Sequence, residues 1–171
     1  PTLREMARRG TPYQGVLFVG LMIKDGAPRL VEYNARFGDP ECQVLMMRLG
    51  AQAFDHIQAA AEGRLNEAKV HWADDHALTV VMAAKGYPAA YEKGTVIRGL
   101  EALPQSSSQM VFHAGTARSA ETVTAVGGRV LAVTARADTL EEAHRLAYDM
   151  TRQIDWPEGF FRSDIGWRAL K

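Results

Sequence analysis

Leu30-Val31-Glu32-Tyr33-Asn34-Ala35-Arg36-Phe37-Gly38-Asp39-Pro40-Glu41 sets three carboxylates, one carboxamide and one guanidinium directly beside an apolar run. Leu30, Val31 and Tyr33 favour a strand. On a strand, Glu32 and Asn34 project from one face, roughly 7 Å apart at the backbone, so their oxygens can converge on one ion. A carboxylate with a carbonyl oxygen is a ligand set for a hard cation such as Mg2+. Arg36, two residues further on, carries a fork of donors suited to a phosphate or carboxylate. Phe37-Gly38-Asp39-Pro40 then breaks the strand. A solvated sheet face ending in Glu, Asn and Arg has the same residue pattern, so spacing alone leaves both readings open.

Upstream, Gln14 to Lys24 and Arg29 to Asn34 read as two strands joined at Asp25-Gly26, a strong hairpin signal. Leu3 to Arg9 reads as the end of a helix stopped by Gly10 and Pro12. Downstream, Glu41 to Leu49 is expected to be a helix, with Asp39 as its N-cap, Pro40 at its first position and Gly50 as its stop. Ala53 to Glu62 follows as a second helix, with Phe54, Ile57 and Ala61 at helical spacing. The polar stretch 63–75 reads as a linker. Beyond it, His76 to Lys85, Thr95 to Arg98 and Gln109 to Ala114 are strand candidates. Thr122 to Val126 and Arg129 to Ala135 flank Gly127-Gly128, a second hairpin signal. Thr139 to Ile154 is an amphipathic helix with Leu140, Ala143, Leu146, Ala147 and Met150 on one face. The expected class is α+β, a hairpin with helices followed by a small, mainly antiparallel α+β domain.

Composition narrows the function classes. The chain has 171 residues, 47% of them hydrophobic, enough for one packed domain or one domain and a portion of another. Twenty basic residues balance twenty acidic ones, which argues against a nucleic-acid surface. Arg4, Arg8 and Arg9 form a small basic cluster whose helical spacing suits a solvated face. A single cysteine, Cys42, excludes an intrachain disulfide and reads as a small buried residue at a helix start. No run approaches the ~20 apolar residues of a membrane helix. His56, His71, His76, His113 and His144 lack metal-ligand spacing.

Glu32-Tyr33-Asn34-Ala35-Arg36-Phe37-Gly38-Asp39-Pro40-Glu41-Cys42-Gln43 resembles the late metal-binding strand of the ATP-grasp ligases, and is especially similar to the phosphoribosylamine–glycine ligases. Further stretches resemble that family in the same order along the chain. They are Tyr13 to Met22, Lys85-Gly86-Tyr87-Pro88, Val111 to Thr116, Gly127 to Leu131 and Arg162 to Leu170. The resemblance implies that residues 1–62 close an ATP-grasp lobe and residues 76–171 form the family's carboxy-terminal domain. Family members are much longer, and this chain opens at Pro1 without an initiator Met. It is therefore expected to be the carboxy-terminal portion of a ligase, missing the amino-terminal portion of the same chain, and inactive alone.

The implied reaction joins glycine to 5-phosphoribosylamine, with ATP as substrate and Mg2+ or Mn2+ as cofactor, in cytoplasmic purine synthesis. ATP phosphorylates the glycine carboxylate, and the amine displaces phosphate. By resemblance, Glu32 and Asn34 are the metal ligands and Arg36 is the catalytic cation; an Asp at position 34 would keep an oxygen but change the charge. Gly38 and Asp39 would lie near substrate, and Lys85 and Arg162 would contact the ribose phosphate. Structural alternatives stand beside these roles: Arg36 paired with Asp39 or Glu41, Arg162 paired with Asp164, and Lys85 merely solvated. Two other functions compete, another ATP-grasp enzyme using bicarbonate or formate, and a non-catalytic interaction module. The Phe37 to Glu41 sequence favours the glycine ligase over the former, and retention of Glu32, Asn34 and Arg36 argues against the latter.

Overall fold

The computed structural model describes residues 1–171, which divide into two compact units. One contains residues 1–42 and 51–71, the other residues 43–50 and 72–171.

In the first unit, helix α1 (Thr2–Arg8) precedes strands β1 (Phe18–Lys24) and β2 (Ala27–Asn34), which pair antiparallel as a two-stranded sheet. Asp25 and Gly26 connect them with φ of 51° and 75°, the double positive φ of a type I′ turn that suits the twist of a hairpin. Of the three clustered arginines, Arg8 and Arg9 are tied to Glu5 at 2.7 Å. The first strand starts at Phe18 rather than Gln14 because Gln14 is occupied elsewhere: its Nε2 donates to the Ala60 and Ala61 carbonyls at 2.8 and 2.6 Å. Those carbonyls end helix α3 (Gln52–Ala61), where Gln14 supplies a donor to Ala61 O and a second one to Ala60 O beside the Gly63 amide. Helix α2 (Glu41–Leu49) comes between the hairpin and α3 along the chain. The expected stripe on α3 does not form a core here. Phe54 and Ile57 are exposed, and the buried position is Ala59.

The second unit is built on a four-stranded antiparallel sheet, β5 (Gln109–His113), β8 (Arg129–Ala137), β3 (His76–Ala84) and β9 (Gly159–Phe161) in spatial order. Residues 130–135 of β8 are all buried, because both faces of this strand are covered. On one face Leu131 and Val133 meet Met82, Met150 and Trp156, and Ala135 meets Leu78, Val80, Ala147 and Tyr148. Met150, Ala147 and Tyr148 belong to helix α4 (Leu140–Gln153), whose Thr139 N-cap accepts from the Glu142 amide at 3.2 Å. On the other face the Thr134 and Thr79 hydroxyls bond at 2.8 Å. Arg136 there donates to the Met47 carbonyl of α2 and pairs with the half-buried Asp75. The apolar α4 face is as its periodicity predicts, with two polar additions. Thr151 is buried because its hydroxyl donates to Ala147 O at 2.7 Å, and Tyr148 because its hydroxyl donates to Arg162 O at 2.7 Å and accepts from the Ile165 amide at 3.0 Å.

The Gly127-Gly128 hairpin does not form. Strand β7 (Thr122–Ala125) pairs with β4 (Thr95–Ile97) and β6 (Thr116–Ser119) in a separate three-stranded sheet, while β8 belongs to the four-stranded one. Strands β6 and β9 carry no signal that singles them out in the sequence. The two glycines carry the chain from sheet to sheet through a crowded gap. A Cβ on Gly115 would lie 2.6 Å from Gly127 Cα and 2.7 Å from Arg129 O, and one on Gly128 would overlap the Tyr87 ring. They serve close approach rather than a tight hairpin turn.

Because the atoms facing Gly115 are backbone, they have little freedom to yield. Gly115→Ala is expected to lower unfolding stability by about 1–3 kcal/mol, the usual cost of overpacking. Urea denaturation measures it, and a midpoint equal to the parent would contradict the packing described.

Candidate functional site

The hairpin places Glu32 and Asn34 on one face of β2. Their cross-strand partners are Gly20 and Phe18, whereas closer to the turn Leu21 pairs with Leu30. Val31 is therefore left without a partner, a β-bulge of the kind that re-aims a side chain beside a site. Glu32 is exposed and lies across β1, its Cγ 3.2 Å from where a Cβ on Gly20 would be. Asn34 is half-buried, and its Nδ2 is buried without a hydrogen-bond partner.

Arg36 lies two residues past Asn34, where the strand has ended. Its side chain is exposed, and Nη1 donates to the Phe37 carbonyl at 2.8 Å, so the guanidinium stays close to its own loop. The loop turns at Gly38, which is buried between the Glu41 side chain and the Phe18 ring. A Cβ there would overlap the Glu41 carboxylate and stand 2.9 Å from Phe18 Cε2. The Gly38 carbonyl accepts from the Cys42 amide at 3.0 Å. Helix α2 begins at Glu41, so Pro40 lies just outside the helix and not at its first position. Glu41 keeps its expected place in the first turn, where the helix dipole favours an acid. Burial, and secondly the Asp39 charge, push the Cys42 thiol above its ordinary range.

No three His, Cys, Asp or Glu side chains gather as a self-sufficient metal centre. What the hairpin offers is one carboxylate and one carboxamide. That set suits Mg2+ or Mn2+ held mainly by phosphate oxygens and water, since Mg2+ keeps few protein ligands. Asn34 fits the same environment. Its Oδ1 could serve as a neutral ligand oxygen, and its Nδ2, buried without a partner, could donate to a neighbour such as a phosphate oxygen.

Lys85 and Arg162 lie apart from each other. Lys85 follows Ala84, whose partner is Gly159, and Arg162 follows Phe161, whose partner is Met82. They occupy opposite ends of the β3–β9 ladder, about 13 Å apart along the strands. Lys85 Nζ donates to Pro157 O at 2.5 Å in a cleft of about 310 Å³ that Glu92 and Glu158 also line. Arg162 forms a bidentate pair with Asp164, both bonds 2.8 Å, and these hydrogen bonds hold the Asp164 carboxyl below its usual range. His113 is exposed on β5, with Nδ1 3.1 Å from the Thr116 hydroxyl.

Two family models match this chain. Residues 77–168, more than half of it, match one described as Phosphoribosylglycinamide synthetase, C domain. Residues 1–42 match the ATP-grasp (A) domain of the same synthetase. The chain belongs to the phosphoribosylglycinamide synthetase family. Among curated proteins of this family, a phosphoribosylamine–glycine ligase of Brucella melitensis is 56% identical over 171 residues. A chloroplastic phosphoribosylamine–glycine ligase of Arabidopsis thaliana is 53% identical over 175 residues. Each alignment covers the whole of this chain but only 40% and 33% of the relative. The crystal structure of the Thermotoga maritima phosphoribosylamine–glycine ligase superposes on 95% of this chain and 40% of that one, with TM-score 0.80 and 34% identity. The mixed α+β architecture is thus that of a synthetase of this family, and the chain spans about 40% of its bacterial relatives' length. No helix is long and apolar enough to cross a membrane.

The raised thiol of Cys42 has a direct readout. With less thiolate than free cysteine at pH 8, it is expected to react more slowly with iodoacetamide. Asp39→Asn removes the smaller of the two causes and should quicken alkylation without reaching the rate of free cysteine. A parent rate equal to that of free cysteine would contradict the burial described.

Proposed function

We propose that this chain works within a phosphoribosylamine–glycine ligase, supplying the metal-binding hairpin and the carboxy-terminal domain. The observation that carries the reading is Glu32 and Asn34 on one face of β2, with Arg36 just past the strand end, in a chain of this family. The accompanying division is residues 1–62 as the end of the ATP-grasp domain, 63–75 as a connection and 76–171 as the C domain. Matches on residues 1–42 and 77–168 support it. A cytoplasmic location goes with this reading.

The substrates set an electrostatic problem. ATP and the carboxylate of glycine repel, and an acyl phosphate must form between them before the amine of phosphoribosylamine displaces phosphate. A divalent ion, when bound, would screen and bridge that charge. Glu32 would hold the ion with a full negative charge, and Asn34 Oδ1 would add a neutral oxygen. Arg36 would release the Phe37 carbonyl and turn its fork onto the phosphoryl group, stabilising the charge that builds in the transition state. Gly38 and Asp39 would line the substrate side of the same loop, with Gly38 keeping the loop low beneath Glu41. Arg162 is assigned to the phosphate of phosphoribosylamine and would exchange Asp164 for it, whereas Lys85, at the other end of the ladder beside Glu92 and Glu158, is left out of that contact. Partners beyond these small molecules reduce to the remainder of the ligase polypeptide.

The test is a chimera in which this chain replaces the segment it matches in the Brucella melitensis relative. The parent chimera is expected to release ADP only when both glycine and phosphoribosylamine are present. Arg36→Ala should lower kcat by about 10²–10³-fold. Glu32→Gln and Asn34→Ala should raise the Mg2+ concentration needed for half-maximal rate. Glycine-independent ATP turnover, or an unaffected Arg36→Ala variant, would overturn the reading. The 171-residue chain alone is expected to show no such turnover, because phosphoryl transfer depends on positioning that the remainder of the ligase supplies.

A further inference from the structure

The sequence around Gly20 is Phe18-Val19-Gly20-Leu21-Met22-Ile23, a run of bulky strand formers with one glycine in its centre. A glycine in a strand interior weakens the strand, and it commonly marks a close approach or a bulge. Gly20 has both. It does not adopt a positive φ, so its backbone would accept any residue. Its reason is space.

Gly20 is the cross-strand partner of Glu32, and the register shifts between Gly20 and Leu21. The bulge at Val31 thus brings Glu32 opposite the one residue of β1 without a side chain. Glu32 uses the space. Its Cγ is 3.2 Å from the position of a Gly20 Cβ, closer than most such contacts. The backbone N and O of Glu32 are 3.7 and 3.6 Å from that position, ordinary van der Waals distances. A side chain at residue 20 therefore leaves the pairing of the strands intact and moves the Glu32 side chain. Phe18 has the complementary role at the next same-face pair. It is the partner of Asn34, and its ring closes over Gly38.

We infer that Gly20 is a positioning residue that sets the direction of the Glu32 carboxylate toward the divalent cation. The inference rests on Glu32 being a ligand, as proposed above. A purely structural glycine predicts a different result. Valine at position 20 is a better strand former, so the hairpin itself gains from the exchange, while the carboxylate is displaced.

The experiment uses the 171-residue chain with Mn2+ alone as the probe, followed by paramagnetic broadening of backbone amide resonances. In the parent chain, low Mn2+ is expected to broaden Glu32, Asn34 and their neighbours first. Glu32→Gln should abolish that selectivity. Gly20→Val should raise the Mn2+ concentration that gives equal broadening by about tenfold, the scale of losing a group that orients a metal ligand. Its thermal midpoint should equal or exceed the parent's. Gly20→Ala, with a single added carbon, should shift the same way by less, and it decides the matter if Gly20→Val unfolds the hairpin. Broadening unchanged in both Gly20 variants overturns the positioning role and leaves Glu32 a ligand. No selective broadening in the parent, or none lost in Glu32→Gln, overturns the ligand assignment and the inference with it.

Discussion

Strands β1 and β2 have only each other. Their sheet contains no third strand, and none of their residues is buried. A lone hairpin in water is marginal, so its register depends on the Asp25-Gly26 turn at one end and the Gly38 loop at the other. Each candidate ligand takes its direction from that register. A slip of one residue would turn Glu32 and Asn34 to the opposite face and bring Tyr33 in their place. The bulge at Val31 is the point at which the pairing set by the turn is exchanged for the pairing the site uses.

The second unit obeys a different constraint. Strand β8 is enclosed on both faces: α4 covers one, and on the other Thr134 bonds Thr79 of the neighbouring strand while Arg136 reaches the Met47 carbonyl of α2. The residues that tie loops to this framework are polar and individually specific. The Tyr148 hydroxyl commits both its donor and its acceptor to the backbone of 162–165, and Trp156 Nε1 donates to the Thr95 hydroxyl at 2.9 Å. Such buried hydrogen bonds contribute little net stability, yet leaving one partner unsatisfied is costly. They fix where the segment carrying Arg162 and Asp164 begins.

Much of this is legible in the sequence where the signal is local. The Asp25-Gly26 turn, α2 ending at Leu49, the amphipathic α4, and Glu32 with Asn34 on one face all follow from spacing or turn chemistry. What escapes is non-local. Counting back from the Asp25-Gly26 turn pairs Glu32 with Val19; the bulge makes the partner Gly20, and nothing in the residues around Val31 announces it. Gly127-Gly128 has the composition of a hairpin turn, but its glycines answer to Gly115 and the Tyr87 ring, which are distant in sequence. An apolar stripe on α4 passes over Tyr148 and Thr151 because it ignores hydroxyls that bond to backbone. Gln14 reads as strand until the α3 carbonyls it satisfies are known. Charge alone groups Lys85 with Arg162, whereas strand pairing puts them at opposite ends of one ladder.

The hairpin also governs how the chain behaves as a solute. Leu21, Met22, Ile23, Leu30 and Val31 are between 51% and 66% exposed, and each strand keeps one edge with unpaired backbone donors and acceptors. Twenty positive and twenty negative side chains cancel, so no net repulsion holds two copies apart. An apolar ribbon with open edges on a molecule of zero net charge is a template for adding strands from its neighbours. Colloidal stability of this chain is therefore set by concentration and by whatever occupies those edges, more than by the strength of its well-packed second unit.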